Sequence, residues 1–148
     1  MSKYFYRVEH KKSKLGPYTH EFSENSEEYK ILDEKYGSTL VSLALKTFNV
    51  DVYNTRTHPG PKRDIPHIGH FDIEDLKFGF RGPVQLFKWF SRKKEVFKFL
   101  KKFGFQIVRY NCKEGSRLDG KTHSCIKINE LSKGKIMTDE WIEKYLTN

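Results

Sequence analysis

The side chains best suited to chemistry in this 148-residue chain gather between positions 51 and 72. His58, His67, His70 and Asp72 are all possible metal ligands, and the spacing His67-x-x-His70 could bring two imidazoles together in one turn. A structural zinc site needs four N, S or O donors, and a catalytic one needs three plus water. Cys112 and Cys125 could add ligands or could equally be two small core residues. The tight paired spacing that makes a zinc reading specific is missing. The three histidines are therefore read as ordinary loop residues, and no metal is expected.

Cys112 or Cys125 near His123 would supply the residue types for nucleophilic catalysis. No nucleophile elbow, P-loop or dinucleotide fingerprint accompanies them, so covalent catalysis is unsupported. A different set suits an anion. Arg7 and His10 at the end of the first strand, with Tyr18 after a Gly-Pro turn, fit bidentate capture of a phosphate or carboxylate. Arg56, His58 and Arg63, with Lys62, could close over such a ligand from the long loop. The alternative is that Arg7 pairs with a neighbouring acid.

A third pattern is electrostatic. From Pro83 to Tyr110 the bases Lys88, Arg92, Lys93, Lys94, Lys98, Lys101, Lys102 and Arg109 face only Glu95, whereas acids dominate from Glu21 to Glu34. Lys94, Lys98 and Lys101 recur on one helical face, and with Lys102 they form a candidate basic binding face. Aromatics interleave with bases in Phe87-Lys88-Trp89-Phe90 and again from Phe97 to Phe103. Exposed rings could stack bases while lysines neutralise phosphates, but at helical spacing most of these rings face the core. Non-specific nucleic-acid binding fits this pattern, and specific readout does not.

The whole chain carries 28 Lys and Arg against 19 Asp and Glu, a net charge of +9, with a sequence pI near 9.5. Such a field draws polyanions or acidic protein surfaces. With 15% aromatic residues the chain has ample material for a core, so disorder is not expected. Its mean hydropathy of −0.74 and lack of a long apolar run argue against a membrane span. Two cysteines cannot form a disulfide scaffold, and the first residues do not read as a signal peptide; a cytoplasmic location is expected.

The elements that must position these residues follow from periodicity. Alternation around Tyr4, Tyr6 and Val8 predicts a first strand, followed by a basic loop to Tyr18. Asn25 with Glu28 opens a short helix ending at Gly37, and Ser38 caps a second running to Phe48. Residues 51–71 lack periodicity, and their three prolines exclude a regular helix. A strand at Leu76 to Phe80 leads to a helix opened by Pro83, a second up to Gly104, and a strand from Phe105. That strand is expected to form a hairpin with one from Thr122 to Ile128. A last helix starts after Thr138. The expected fold is α+β: one domain over 1–148 with a small, mostly antiparallel sheet, three to five helices and one long irregular loop at 51–71. Residues 129–148 are read as a C-terminal helical extension.

Several segments taken in order resemble a loose group of small bacteriophage proteins. They are Tyr6-Arg7-Val8-Glu9-His10, Gly16-Pro17-Tyr18, His58-Pro59-Gly60-Pro61 with Asp64, Phe78-Gly79-Phe80, Leu86 to Phe90, and Gly104-Phe105. The pattern spans residue 4 to about 128, and His123-Ser124-Cys125 departs from it where a Gln is expected. This resemblance implies a phage-encoded accessory protein of the host cytoplasm. Combined with the basic face, it leads to the expectation of a host macromolecule as partner, most simply a host protein and alternatively nucleic acid, with inhibition of a host or defence factor as the role. The first strand is also similar in placement to ADP-ribosyltransferase-like folds, where a first-strand Arg or His holds NAD. That analogy implies an enzyme or nucleotide binder using Arg7 and His10, with Asp119 or Glu130 as the late acid.

Overall fold

In a computed structural model, residues 4–12, 14, 16–17, 44–50, 56–65, 68–71, 75–127, 129 and 131–146 are described. The expected helices between Asn25 and residue 43, together with Tyr18, His67, Asp72, Glu130 and the side chain of His70, lie outside them.

The first strand, β1, spans Tyr4–His10, and both its faces are covered. Its alternation divides the residues: Tyr6 and Val8 enter the main core, while Phe5 and Arg7 lie beside Gly79. β1 pairs antiparallel with β3 (Phe105–Cys112), Tyr6 opposite Arg109 and Val8 opposite Ile107. β3 is the centre of this sheet and pairs on its other edge with β6 (Leu131–Ile136), with an irregularity between Tyr110 and Cys112. A second sheet has the order β2-β5-β4, built from Leu76–Gly79, Ser124–Lys127 and Arg117–Asp119. A bridge between Tyr6 and Phe80, with both backbone hydrogen bonds at 2.8 Å, joins the two sheets.

Gly79 is required at that junction. A Cβ there would collide with the Tyr6 carbonyl and the Phe5 ring, so the close approach of β2 to β1 excludes any larger residue.

The expected hairpin between the strands beginning at Phe105 and near Thr122 does not form. Both strands exist, but they belong to different sheets: β5 turns back on β4 and pairs with β2, while β3 takes β1 and β6. Two features hide this in the sequence. The turn region holds the three-residue strand β4, and β6 reads Leu-Ser-Lys-Gly-Lys-Ile, a segment of weak strand propensity. Gly134 in β6 is there for space, because a Cβ would strike Val108 and the Tyr110 ring.

Besides a helical end at Ala44 and Leu45 that runs into a 3-10 turn at Lys46–Phe48, where the expected second helix closes, four α-helical segments occur among the described residues. α1 (Pro61–Asp64) is a single turn opened by proline inside the long loop, followed by a 3-10 turn at Ile68–His70. Ile65 and Ile68 from this loop bury against Leu76 and Cys125 as a satellite core. α2 (Pro83–Trp89) begins with proline at its first turn as expected. It ends where Ser91 and Arg92 both take left-handed φ, 63° and 51°, and α3 (Lys94–Lys102) begins beyond them. Gly104, at φ 86°, closes α3. Leu86, Phe87, Phe90, Val96, Phe97 and Leu100 from α2 and α3 meet Tyr6, Val8, Phe105 and Ile107 in the main core. α4 (Asp139–Leu146) packs on that core through Trp141, Ile142, Tyr145 and Leu146. The α+β class is that expected from the sequence, with two small antiparallel sheets rather than one.

Candidate binding face

α3 is amphipathic because its apolar residues recur at helical spacing. Val96, Phe97 and Leu100 are buried, and Lys94, Lys98, Lys101 and Lys102 are all exposed. Their charges are not equally available. Lys94 pairs with Glu143 at 3.1 Å and Lys101 with Asp139 at 2.5 Å, both acids belonging to α4. These pairs are solvent-exposed, worth about 0–1 kcal/mol each. Lys98 and Lys102 are exposed and have no ion pair among the described residues. The Lys11 N–H donates to the Gly104 carbonyl at 3.0 Å, which brings exposed Lys11 and Lys12 to the end of α3. Lys88, Arg92 and Lys93, also exposed, cluster where α2 gives way to α3. Most of the interleaved rings are committed elsewhere: Phe87, Phe90 and Phe97 are buried, and Phe99 packs between Phe48 and Phe103.

The residues read as an anion-binding set fall in different settings. Arg7 is buried on β1. Its Nε donates to Glu9 at 3.2 Å, and its terminal nitrogens donate to the carbonyls of Phe78 and Lys14. Glu9 also accepts the Tyr110 hydroxyl at 2.6 Å. Burial and that bond to Glu9 push the Tyr110 phenol well above its usual range. The neighbouring acid weighed as Arg7's alternative partner is thus Glu9. His10 is buried with its ring edge on Phe105, and its Nδ1 accepts the Lys12 N–H at 3.2 Å. Arg56 and Arg63 are exposed.

His58 sits elsewhere, edge-on to the Trp89 indole with centroids 4.2 Å apart. Its Nε2–H donates to the Trp89 carbonyl at 2.9 Å, which leaves Nδ1 to accept from the Thr57 hydroxyl. His123 contacts the same indole at 5.1 Å, and its Nδ1 lies 2.9 Å from Asp64. Asp64 also accepts the backbone N–H groups of Lys121, Thr122 and His123, each at 3.1 Å. Burial depresses the His123 pKa more than Asp64 raises it, and nearby His58 adds to the depression. His123 is therefore neutral at pH 7, with Nδ1–H as donor to Asp64.

The turn that Asp64 grips is held from its other side as well. Gln85 and Arg81 donate to the Gly120 carbonyl at 3.1 and 2.7 Å. Asp119 takes a bidentate pair of bonds from Arg117 and a third from Ser124. Gly120 has no alternative, since a Cβ would meet the Asp64 carboxylate and carbonyl. A histidine oriented by a carboxylate has the layout of a general base. Here the carboxylate also holds three backbone N–H groups, and its first effect is to anchor the loop to the sheet.

Cys125 is fully buried with its thiol pushed up to about 11 by burial and by Asp119, the opposite of an activated nucleophile. No three His, Cys, Asp or Glu side chains converge as a metal set among the described residues. A shallow cleft of about 200 Å³ opens on the second sheet, lined by Phe71, Leu76, Leu118, Ile126 and Lys127 among others, and by none of the anion-binding set. The Asp64–His123 couple escaped the sequence reading because its members lie 59 positions apart with no local signal.

A small basic α+β protein with a lysine-lined helix face is the class these features define. The chain belongs to the Bacteriophage T4 Y00F protein family, whose model matches residues 1–138, and the protein is accordingly phage-encoded. No curated protein and no solved structure matches it. No helix among the described residues is long and apolar enough to cross a membrane.

Proposed function

We propose that this phage protein is a binding protein that engages a negatively charged host macromolecule through the α3 face, a protein surface in the first instance. One observation carries the reading: Lys98 and Lys102 are exposed with no ion pair among the described residues, while Lys11 and Lys12 converge on the same helix end. A cluster of unneutralised cations raises the local concentration of an anionic partner and speeds its docking. Inhibition of the host or defence factor so bound is the consequence with the simplest physical route, since occupying a surface needs no chemistry.

The test is capture from host lysate by the tagged chain, with and without nuclease, beside a Lys98→Glu/Lys102→Glu variant. A stoichiometric host protein that survives nuclease, weakens as salt rises and is lost in the variant is the expected result. Capture that ignores both salt and the two lysines would refute the electrostatic mechanism. Capture that disappears with nuclease would replace the protein partner with nucleic acid.

A further inference from the structure

We infer that the α3 face takes an acidic amphipathic helix from its protein partner, and that α4 is the chain's own stand-in for that helix; this rests on α3 being the binding face. The two ion pairs set the geometry. Lys101 meets Asp139 and Lys94 meets Glu143, so position rises along α4 as it falls along α3 and the helices run antiparallel. Asp139 and Glu143 are four residues apart and therefore share one side of α4. The rings of Trp141 and Tyr145, likewise four apart, turn to the core: Trp141 stacks on Tyr6 at 5.6 Å, and Tyr145 on Phe87 at 5.6 Å.

Tyr6 of β1 and Phe87 of α2 thus take the two aromatics of a helix whose two acids reach across to Lys94 and Lys101 of α3. Its hold is light. No residue of α4 is fully buried, and both ion pairs are exposed. α4 also leaves charge unmatched, because Asp139 and Glu143 satisfy two lysines while Lys98 and Lys102 have no ion pair among the described residues. A partner helix with further acids along that side would match all four, and so displaces α4 by charge complementarity. The family match ends at residue 138, immediately before α4 begins.

The experiment uses the full chain and, as probe, a labelled peptide copying residues 138–148. In the wild type the tethered α4 competes with the peptide, whereas an Asp139→Lys/Glu143→Lys variant repels its own α4 from the lysines. The peptide should bind that variant about tenfold or more tighter than wild type, because removing an internal competitor raises the competent fraction. Adding Lys94→Glu and Lys101→Glu should abolish binding in trans and restore docking of the charge-swapped α4, seen as recovered protection of its amides from hydrogen exchange. That second readout also guards against a variant that merely misfolds. Equal peptide affinity for wild type and variant would overturn the inference. So would a duplex DNA oligonucleotide gaining affinity in the variant while the peptide does not, an outcome that leaves the basic-face reading intact.

Discussion

His123 donates its Nδ1 proton to Asp64 across 2.9 Å, and this bond joins the long loop to the turn between β4 and β5. Asp64 closes the single helical turn α1, which Pro61 opens, so the loop's α-helical turn ends on the residue that anchors it. Gly120 makes room for the carboxylate, and Gln85 and Arg81 hold the turn from behind. The loop that looks irregular in sequence is fixed at one point by a buried acid.

Asp64→Ala should therefore cost about 3 kcal/mol, because it leaves the N–H groups of Thr122 and His123 without an acceptor. Asp64→Asn keeps one carbonyl oxygen and should lose roughly half as much. Urea unfolding of the three proteins measures this. A loss below about 0.5 kcal/mol for the alanine variant would show that the anchor is dispensable.

The same couple gives stability a pH dependence. Burial holds the His123 pKa in the folded chain below its ordinary value, with Asp64 from α1 and His58 from the loop as the titratable groups beside it. The unfolded histidine titrates near 6.5, so between that pH and the folded value the unfolded state binds the extra proton. The stability from keeping His123 neutral is thus fully present above about pH 6.5 and is lost as pH falls through the lower, folded-state pKa. The gap in urea midpoint between wild type and His123→Gln should narrow from neutral pH to mildly acidic pH. A gap that stays constant would mean that His123 does not titrate differently on folding.

How much of this was legible beforehand depends on the range of each interaction. The α2 start at Pro83, the α3 face and the stop at Gly104 follow from local rules about ring closure, helical period and left-handed φ, and these matched the sequence reading. Strand partners did not. Phe105 to Cys112 is recognisable as a strand, yet nothing local says that its neighbours are Tyr4–His10 and the lysine-rich Leu131–Ile136. The lysines of α3 were legible, but their neutralisation by Asp139 and Glu143 was not, because the acids lie 38 and 49 positions away. Arg7 illustrates the same limit: read as a strand-end arginine it looks ready for a ligand, but it lies at the middle of β1 with Glu9 beside it and Tyr110 bonded to Glu9.

Arg7, Glu9 and Tyr110 make a buried group whose members should not be removable singly. Glu9→Ala strands the Arg7 guanidinium in the interior and should cost about 3–5 kcal/mol. Replacing both, as Arg7→Met with Glu9→Leu, should recover most of that loss, because packed apolar groups often serve as well as a buried pair. Thermal unfolding of the singles and the double closes the cycle. If the double variant loses as much as the sum of the singles, the pair is not coupled and Arg7 owes its position to the Phe78 and Lys14 carbonyls instead.

The two cysteines should differ sharply in reactivity. Neither is in a disulfide; Cys112 is partly accessible, and Cys125 is fully buried with a thiol pKa of about 11. At pH 8 a thiol with that pKa is thiolate for only about one part in a thousand, and the thiolate is the reacting species. In the native protein a thiol reagent should therefore modify Cys112 and spare Cys125, while both react in urea. Peptide mapping after brief labelling locates the modified residue. Labelling of Cys125 at native rates comparable to Cys112 would mean that β5 opens readily from Ile65, Ile68 and Leu76, and that the loop anchored by Asp64 is not the seal over this satellite core.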